Sequence, residues 1–296
     1  MTTLLEQAFN ANEFSITAEL VPPVTVEPQR ILDEVLPIAE QVTAINVTDA
    51  AAAKTTLGSL GACAILAQNG VEPVLQLACR DRNRIALASD LMSAAALGIH
   101  NVLTITGDDP SKGDQPEAMP VFDLNSAELL AVATQMRDAG LLPGGRAIDP
   151  PPHLYLGTTD VPVDPGPDWS PAALEKKSAA GAQFVQTQFC FDTELTRRYV
   201  DALVESGITK KMQVILGVGP ILSAKSARWM HDNLYGVSVP HAVIERLEAA
   251  ADPKAEGQRL CAELIATYRE WEGVGGVHIM APAQSCSAIA KVLELV

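Results

Sequence analysis

The chain reads as an α/β protein, a (β/α)8 TIM barrel with extra helices before its eighth strand, and three observations predict this. Eight short runs rich in β-branched and aliphatic residues recur at roughly 30-residue intervals, the length of a strand–helix pair. Segments with apolar residues at helical spacing separate them. The 296 residues, 48% hydrophobic, are enough for one such barrel and its insertions. Strict alternation implies a parallel sheet, and eight repeats imply closure. An open doubly wound sheet would need fewer units and a Gly-rich first turn, and no GxGxxG follows the first strand. Residues 1–296 are expected to form a single domain.

The predicted strands, in order, are 14–21 (FSITAELV), 44–48 (AINVT), 73–79 (PVLQLAC), 101–108 (NVLTITGD), 154–161 (LYLGTTDV), 184–191 (FVQTQFCF), 213–218 (QVILGV) and 276–280 (GVHIM). Helical periodicity covers 31–41, 55–69, 82–97, 126–139, 171–181, 193–206, 225–235 and 285–295. Asn125 or Ser126 can cap a helix with Glu128 in its first turn, and Ser170-Pro171 offers an N-cap with proline at the first helical position. Glycines 70, 98, 140, 181 and 207 are placed to close helices. Three stretches break the rhythm: a polar loop at 109–124, PVDPGPDW at 162–169, and 240–272 with one or two extra helices. The first two follow the fourth and fifth strands, at the C-terminal mouth where barrels elaborate their sites. The GLLPGGRAIDPPPH run reads as a surface turn before the fifth strand.

Lys and Arg number 21 against 36 Asp and Glu, giving a net charge of −15 and a pI near 4.7. That field argues against a nucleic-acid backbone or an anionic membrane as partner, but not against a small anion held by a few lysines. Five scattered cysteines with no CxxC pair read as reduced, mostly buried thiols of a cytoplasmic protein. The segment MTTLLEQAFNANEF lacks a basic n-region and a long apolar run, so no signal peptide is expected. No apolar stretch reaches the ~18 residues of a membrane span.

Several chemistries are disfavoured. Neither His-x-His nor HExxH spacing occurs, so the five histidines are expected to be structural or surface residues. No GxSxG or Cys/His arrangement marks a nucleophile, and no lysine falls in a predicted strand to form a Schiff base. What remains at the strand ends is polar but chemically mild, as in a site that positions a cofactor to do the hard step. Glu19 stands in an otherwise apolar strand. Burial there favours the protonated form that a general acid needs; the alternative is a glutamate satisfied by an arginine or a backbone amide. Gln186 and Gln188 share one face of the sixth strand. Their amides suit a heteroaromatic edge, or else a buried hydrogen-bond network. Gly107 permits close backbone approach at the end of the fourth strand and presents Asp108 on a rigid support; alternatively Gly-Asp-Asp-Pro is only a strand-ending turn.

FSITAELVPP, AINVTD, NVLTITGDDP with GDQPEA and VFDL behind it, and KKSAAGAQFVQTQFCFD together resemble the 5,10-methylenetetrahydrofolate reductase family, from about 14 to 280. The resemblance implies a barrel that binds FAD at the strand C-termini. Such a barrel takes hydride from NADH or NADPH and reduces methylenetetrahydrofolate to 5-methyltetrahydrofolate, in cytoplasmic one-carbon metabolism that feeds methionine synthesis. It implies that Glu19 helps protonate the folate, that Asp108 lies between flavin and pterin, and that Gln188 contacts folate and nicotinamide. Thr48, Gly107 and Gly157 match flavin-contacting strand ends, and Lys176 and Lys177 match basic residues set against the FAD pyrophosphate. Gln76, Thr106 and Thr159 stand at further cofactor positions, and Gln186 and Met280 at substrate positions. A homo-oligomer is the usual state of such barrels. The chain departs from the family pattern at Gln76, where many members have His, and at Thr106, where many have Arg. Thr159-Asp160-Val161 replace a Tyr-Pro-Glu feature, and Ala224 stands where a stacking aromatic is expected. Two alternatives stay open: a flavin-less or partner-dependent folate-binding subunit, and a corrinoid-linked folate methyltransferase.

Overall fold

A computed structural model describes residues 2–282 and 284–296. Eight strands close a parallel barrel in chain order. They are β1 (Ser15–Leu20), β2 (Ala44–Val47), β3 (Pro73–Ala78), β4 (Asn101–Ile105), β5 (Tyr155–Asp160), β6 (Phe184–Phe189), β7 (Gln213–Val218) and β8 (Gly276–Ile279). Pairing of β1 with β8, Ser15 opposite Gly276 and Thr17 opposite His278, closes the ring. All eight predicted strands are present; the seventh keeps its predicted bounds and the other seven are trimmed at one or both ends. The fourth stops at Ile105 because its outer residues are drawn into loop contacts.

The helices are α1 (Leu4–Asn10), α2 (Pro28–Ala39), α3 (Ser59–Gln68), α4 (Arg84–Ala96), α5 (Ser126–Ala139), α6 (Ala172–Ala179), α7 (Thr193–Glu205), α8 (Ala224–Asn233), α9 (His241–Ala249), α10 (Pro253–Arg269) and α11 (Cys286–Leu293). Asn125 caps α5 in a full capping box with Glu128. The five helix-closing glycines all have left-handed φ, from +62° to +105°. Pro171 sits at the N-cap of α6 rather than inside it, and no side chain caps that helix. The insertion before β8 forms two helices, whose Ile244 and Leu247 pack with Ala227 and Met230 of α8 in a satellite core.

The seven-residue α1 was not expected from the sequence. Its Leu5 and Phe9 plug the barrel floor against Val74, Leu103, Tyr155, Phe184 and Ile215. Strand alternation then splits the interior by height. The lower layer is apolar, while the upper layers carry Thr17, Glu19, Asn46, Gln76, Gln186 and His278 toward the mouth.

Candidate active site

A cavity of about 720 Å³ opens at the C-terminal mouth, where the predicted site residues were expected to gather. Its floor is a polar chain across the barrel. Asn46 Nδ2 donates to Gln186 Oε1 at 2.6 Å, and Gln186 Nε2 reaches Thr17 Oγ1 at 3.5 Å. Thr17 Oγ1 lies 3.4 Å from the Val277 carbonyl and shares a hydrogen bond with His278 Nδ1 at 3.0 Å. The other ring nitrogen, Nε2, faces Glu19 Oε2 at 3.8 Å. His278 is only 3% exposed, and Glu19 keeps 15% of its side chain open to the cavity.

This corrects the reading of the histidines as structural or surface residues. His278 lies on the site floor. The missed signal was its place between Gly276 and Met280, at inward positions of an alternating strand. Both predicted roles for Gln186 meet in one place, because it belongs to the buried network and also lines the cavity. Gln188 lines the cavity while its Oε1 accepts the Phe189 amide at 2.9 Å, and Met280 lies beside it.

The opposite wall runs along β3 to β5. Gln76, Thr106, Asp108 and Thr159 all line the cavity, and Ser126 joins them, with Thr106 Oγ1 donating to it at 3.3 Å. Asp108 Oδ2 accepts the Ala52 amide at 2.7 Å, which ties the β4 loop to the β2 loop. Asp114 extends this clamp to the Thr55 amide. Ala50, Ala52 and Ala53 all hold φ near +50°, a costly conformation for alanine, in the loop that carries this amide. Behind the clamp, Arg80 is buried and paired with Asp81 at 2.7 Å, and Arg82 binds Asp49 at 2.6 Å.

Lys177 also lines the cavity, donating from Nζ to the Thr159 carbonyl at 2.5 Å, 3.9 Å from Asp160. Asp160 in turn accepts the buried Tyr199 hydroxyl at 2.5 Å, and burial with that carboxylate pushes the phenol well above its ordinary pKa.

Four expected residues stand off the cavity. Gly157 faces inward below it, and the room a side chain would take is filled by the Phe184 ring, which lies 2.2 Å from an ideal Cβ. Gly107, at φ +96°, lets the chain cross Arg80, whose Cβ would lie 2.8 Å from an added Cβ. Lys176 is exposed on α6. Thr48 is buried at the end of β2 with its hydroxyl unpartnered. Ala224 begins α8 and packs in the satellite core. No cluster of metal-binding side chains occurs among the described residues.

The family model for methylenetetrahydrofolate reductase matches residues 4–295. The chain belongs to that family. Methylenetetrahydrofolate reductase 2 of Schizosaccharomyces pombe is 26% identical over 252 residues, covering 83% of this chain and 39% of the yeast protein. The 5,10-methylenetetrahydrofolate reductase of Escherichia coli is 24% identical over 199 residues, covering 67% of this chain and 60% of its own length. The chain thus spans less than two thirds of these relatives. Among solved structures, a Clostridium thermocellum protein that binds two copies of 5-methyl-5,6,7,8-tetrahydrofolic acid superposes with a TM-score of 0.67 at 14% identity. The match covers 99% of this chain and 97% of that one, so the two chains share a fold. Among the described residues, no helix is long and apolar enough to cross a membrane.

Proposed function

We propose that the chain reduces 5,10-methylenetetrahydrofolate to 5-methyltetrahydrofolate with hydride from NADH or NADPH, using FAD at the strand ends. The observation that carries this reading is the Glu19–His278 pair on a floor of amides, under a cavity large enough for flat heteroaromatic ligands. Membership of the family and the fold shared with a folate-binding protein support it.

The residues along β3 to β5 fit a flavin in kind. The Gln76 amide and the hydroxyls of Thr106 and Thr159 form a strip of donors and acceptors for a pyrimidine edge, and Lys177 supplies one cation for a phosphate. A flavin held there would supply two-electron hydride chemistry between the nicotinamide and the folate. The chain's own residues do the rest. Gln188 and Gln186 offer amide edges to the pterin, and Met280 gives it an apolar contact. Glu19 faces His278 Nε2 across 3.8 Å and keeps part of its side chain open to the cavity. It delivers a proton to the bridging nitrogen, opening the five-membered ring to an iminium whose carbon takes the hydride. Asp108, held by the Ala52 amide, fixes a negative charge at the mouth.

One observation favours a second reading, a folate-binding barrel without flavin. Among the described residues Lys177 is the single lysine or arginine on the cavity wall, and it is already engaged by a carbonyl and by Asp160. A visible spectrum of the purified protein, followed by NAD(P)H oxidation dependent on methylenetetrahydrofolate, tests both. A yellow protein that oxidises the donor only with folate supports the first reading. A colourless protein that binds folate, with no activity on adding FAD, supports the second. Methyl transfer without donor consumption would select a corrinoid-linked enzyme instead.

A further inference from the structure

At the rim of the cavity an apolar lip faces a polar floor. Tyr235 lines the cavity yet is 84% exposed, with no hydrogen bond to its hydroxyl among the described residues. A bare, amphipathic ring at the edge of a ligand cavity is a ready contact surface. Its position is fixed by its neighbour. Gly236 has φ +73°, and an ideal Cβ there would lie 2.0 Å from Val161 Cγ1, so the chain after α8 crosses directly against the loop after β5. Val161 and Val163 of that loop line the cavity as well, and Val163 is 46% exposed. The ring thus shares the cavity wall with two aliphatic side chains, one of them nearly half exposed, together with Glu19, Gln186, Gln188 and His278.

We propose that Tyr235 is a specificity-determining residue that stacks on a flat aryl group leaving the polar floor toward solvent. This inference rests on the proposed function, which supplies two sources for such a group: the p-aminobenzoyl arm of the folate and the adenine ring of the dinucleotide. Stacking of this kind contributes about three- to tenfold in affinity. The alanine variant leaves folding intact, because the side chain is exposed and packs in no core cluster.

The test is titration of wild type, Tyr235→Ala and Tyr235→Phe with three probes: 5-methyltetrahydrofolate, NADH, and 6-methyltetrahydropterin, which has the pterin but no aryl arm. Tyr235→Ala weakens 5-methyltetrahydrofolate three- to tenfold if the folate arm is the source, or NADH if adenine is. Tyr235→Phe restores wild-type binding, and the bare pterin binds all three proteins alike. Equal binding of both aryl-bearing probes by wild type and Tyr235→Ala overturns the assignment while leaving the proposed function standing. So does a parallel loss with the bare pterin, which would mark a general disturbance of the site. Failure of the wild type to bind any of the three probes overturns the proposed function and this assignment with it.

Discussion

Replacing Glu19 with glutamine isolates the proton from everything else the site does. The amide has nearly the same shape, and the Glu19 carboxylate makes no hydrogen bond among the described residues. His278 Nε2 faces it from 3.8 Å. With 15% of the side chain still open to the cavity and no partner orphaned by the change, the cost in folding stability is within about 0.5 kcal/mol. The cost in catalysis is much larger, because an amide has no proton to give at neutral pH. A positioned general acid contributes about 10²- to 10⁴-fold, or roughly 3–5 kcal/mol of barrier. Steady-state oxidation of NAD(P)H with methylenetetrahydrofolate should therefore fall at least a hundredfold in kcat. Oxidation of the donor by an artificial quinone acceptor, which needs no proton delivered to a folate nitrogen, should persist, and so should binding of 5-methyltetrahydrofolate. If folate reduction survives within a few-fold of wild type, Glu19 is not the acid.

Three further predictions concern the frame around the site. Gly157→Ala forces a methyl group against the Phe184 ring, which is fully buried and stacked on Tyr155 at 5.4 Å between centroids. About 1–3 kcal/mol of stability should be lost in chemical denaturation, with ligand affinity of the folded protein unchanged. Asp114→Ala removes the acceptor for the Thr55 amide, so hydrogen exchange at that amide should quicken by about three- to tenfold, and an unchanged rate would show that the clamp is held elsewhere. Buried Tyr199 is held protonated against Asp160, its pKa raised above the ordinary value near 10. The unfolded chain thus releases a proton above about pH 10 that the native state retains, so Tyr199 stabilises the fold fully below that pH and progressively less above it. Melting temperatures across pH 8 to 11 should fall at the alkaline end, and Tyr199→Phe should flatten that fall.

The periodicities of the chain carried most of the architecture. Eight alternating or continuous apolar runs, helix-closing glycines and the Asn125–Glu128 box are local signals, and each appears where its short-range physics requires. Glu19, Gln186 and Gln188 were legible as inward-facing polar residues because strand alternation is a property of sequence. Helix α1 was not legible, since seven residues with two core contacts carry little periodicity of their own.

What the sequence determined by itself was the barrel, its mouth and the place of a carboxylate, Glu19, in the first strand, because these follow from patterns within some 30 residues. Only the tertiary structure decided which residues meet there. It set His278 of the last strand beside Glu19 of the first, through ring closure, and brought Tyr235 to the rim through the contact of Gly236 with Val161. It filled the space beside Gly157 with an aromatic ring and left Lys176 outside. Such neighbours are joined by packing between distant segments, and no local period records them.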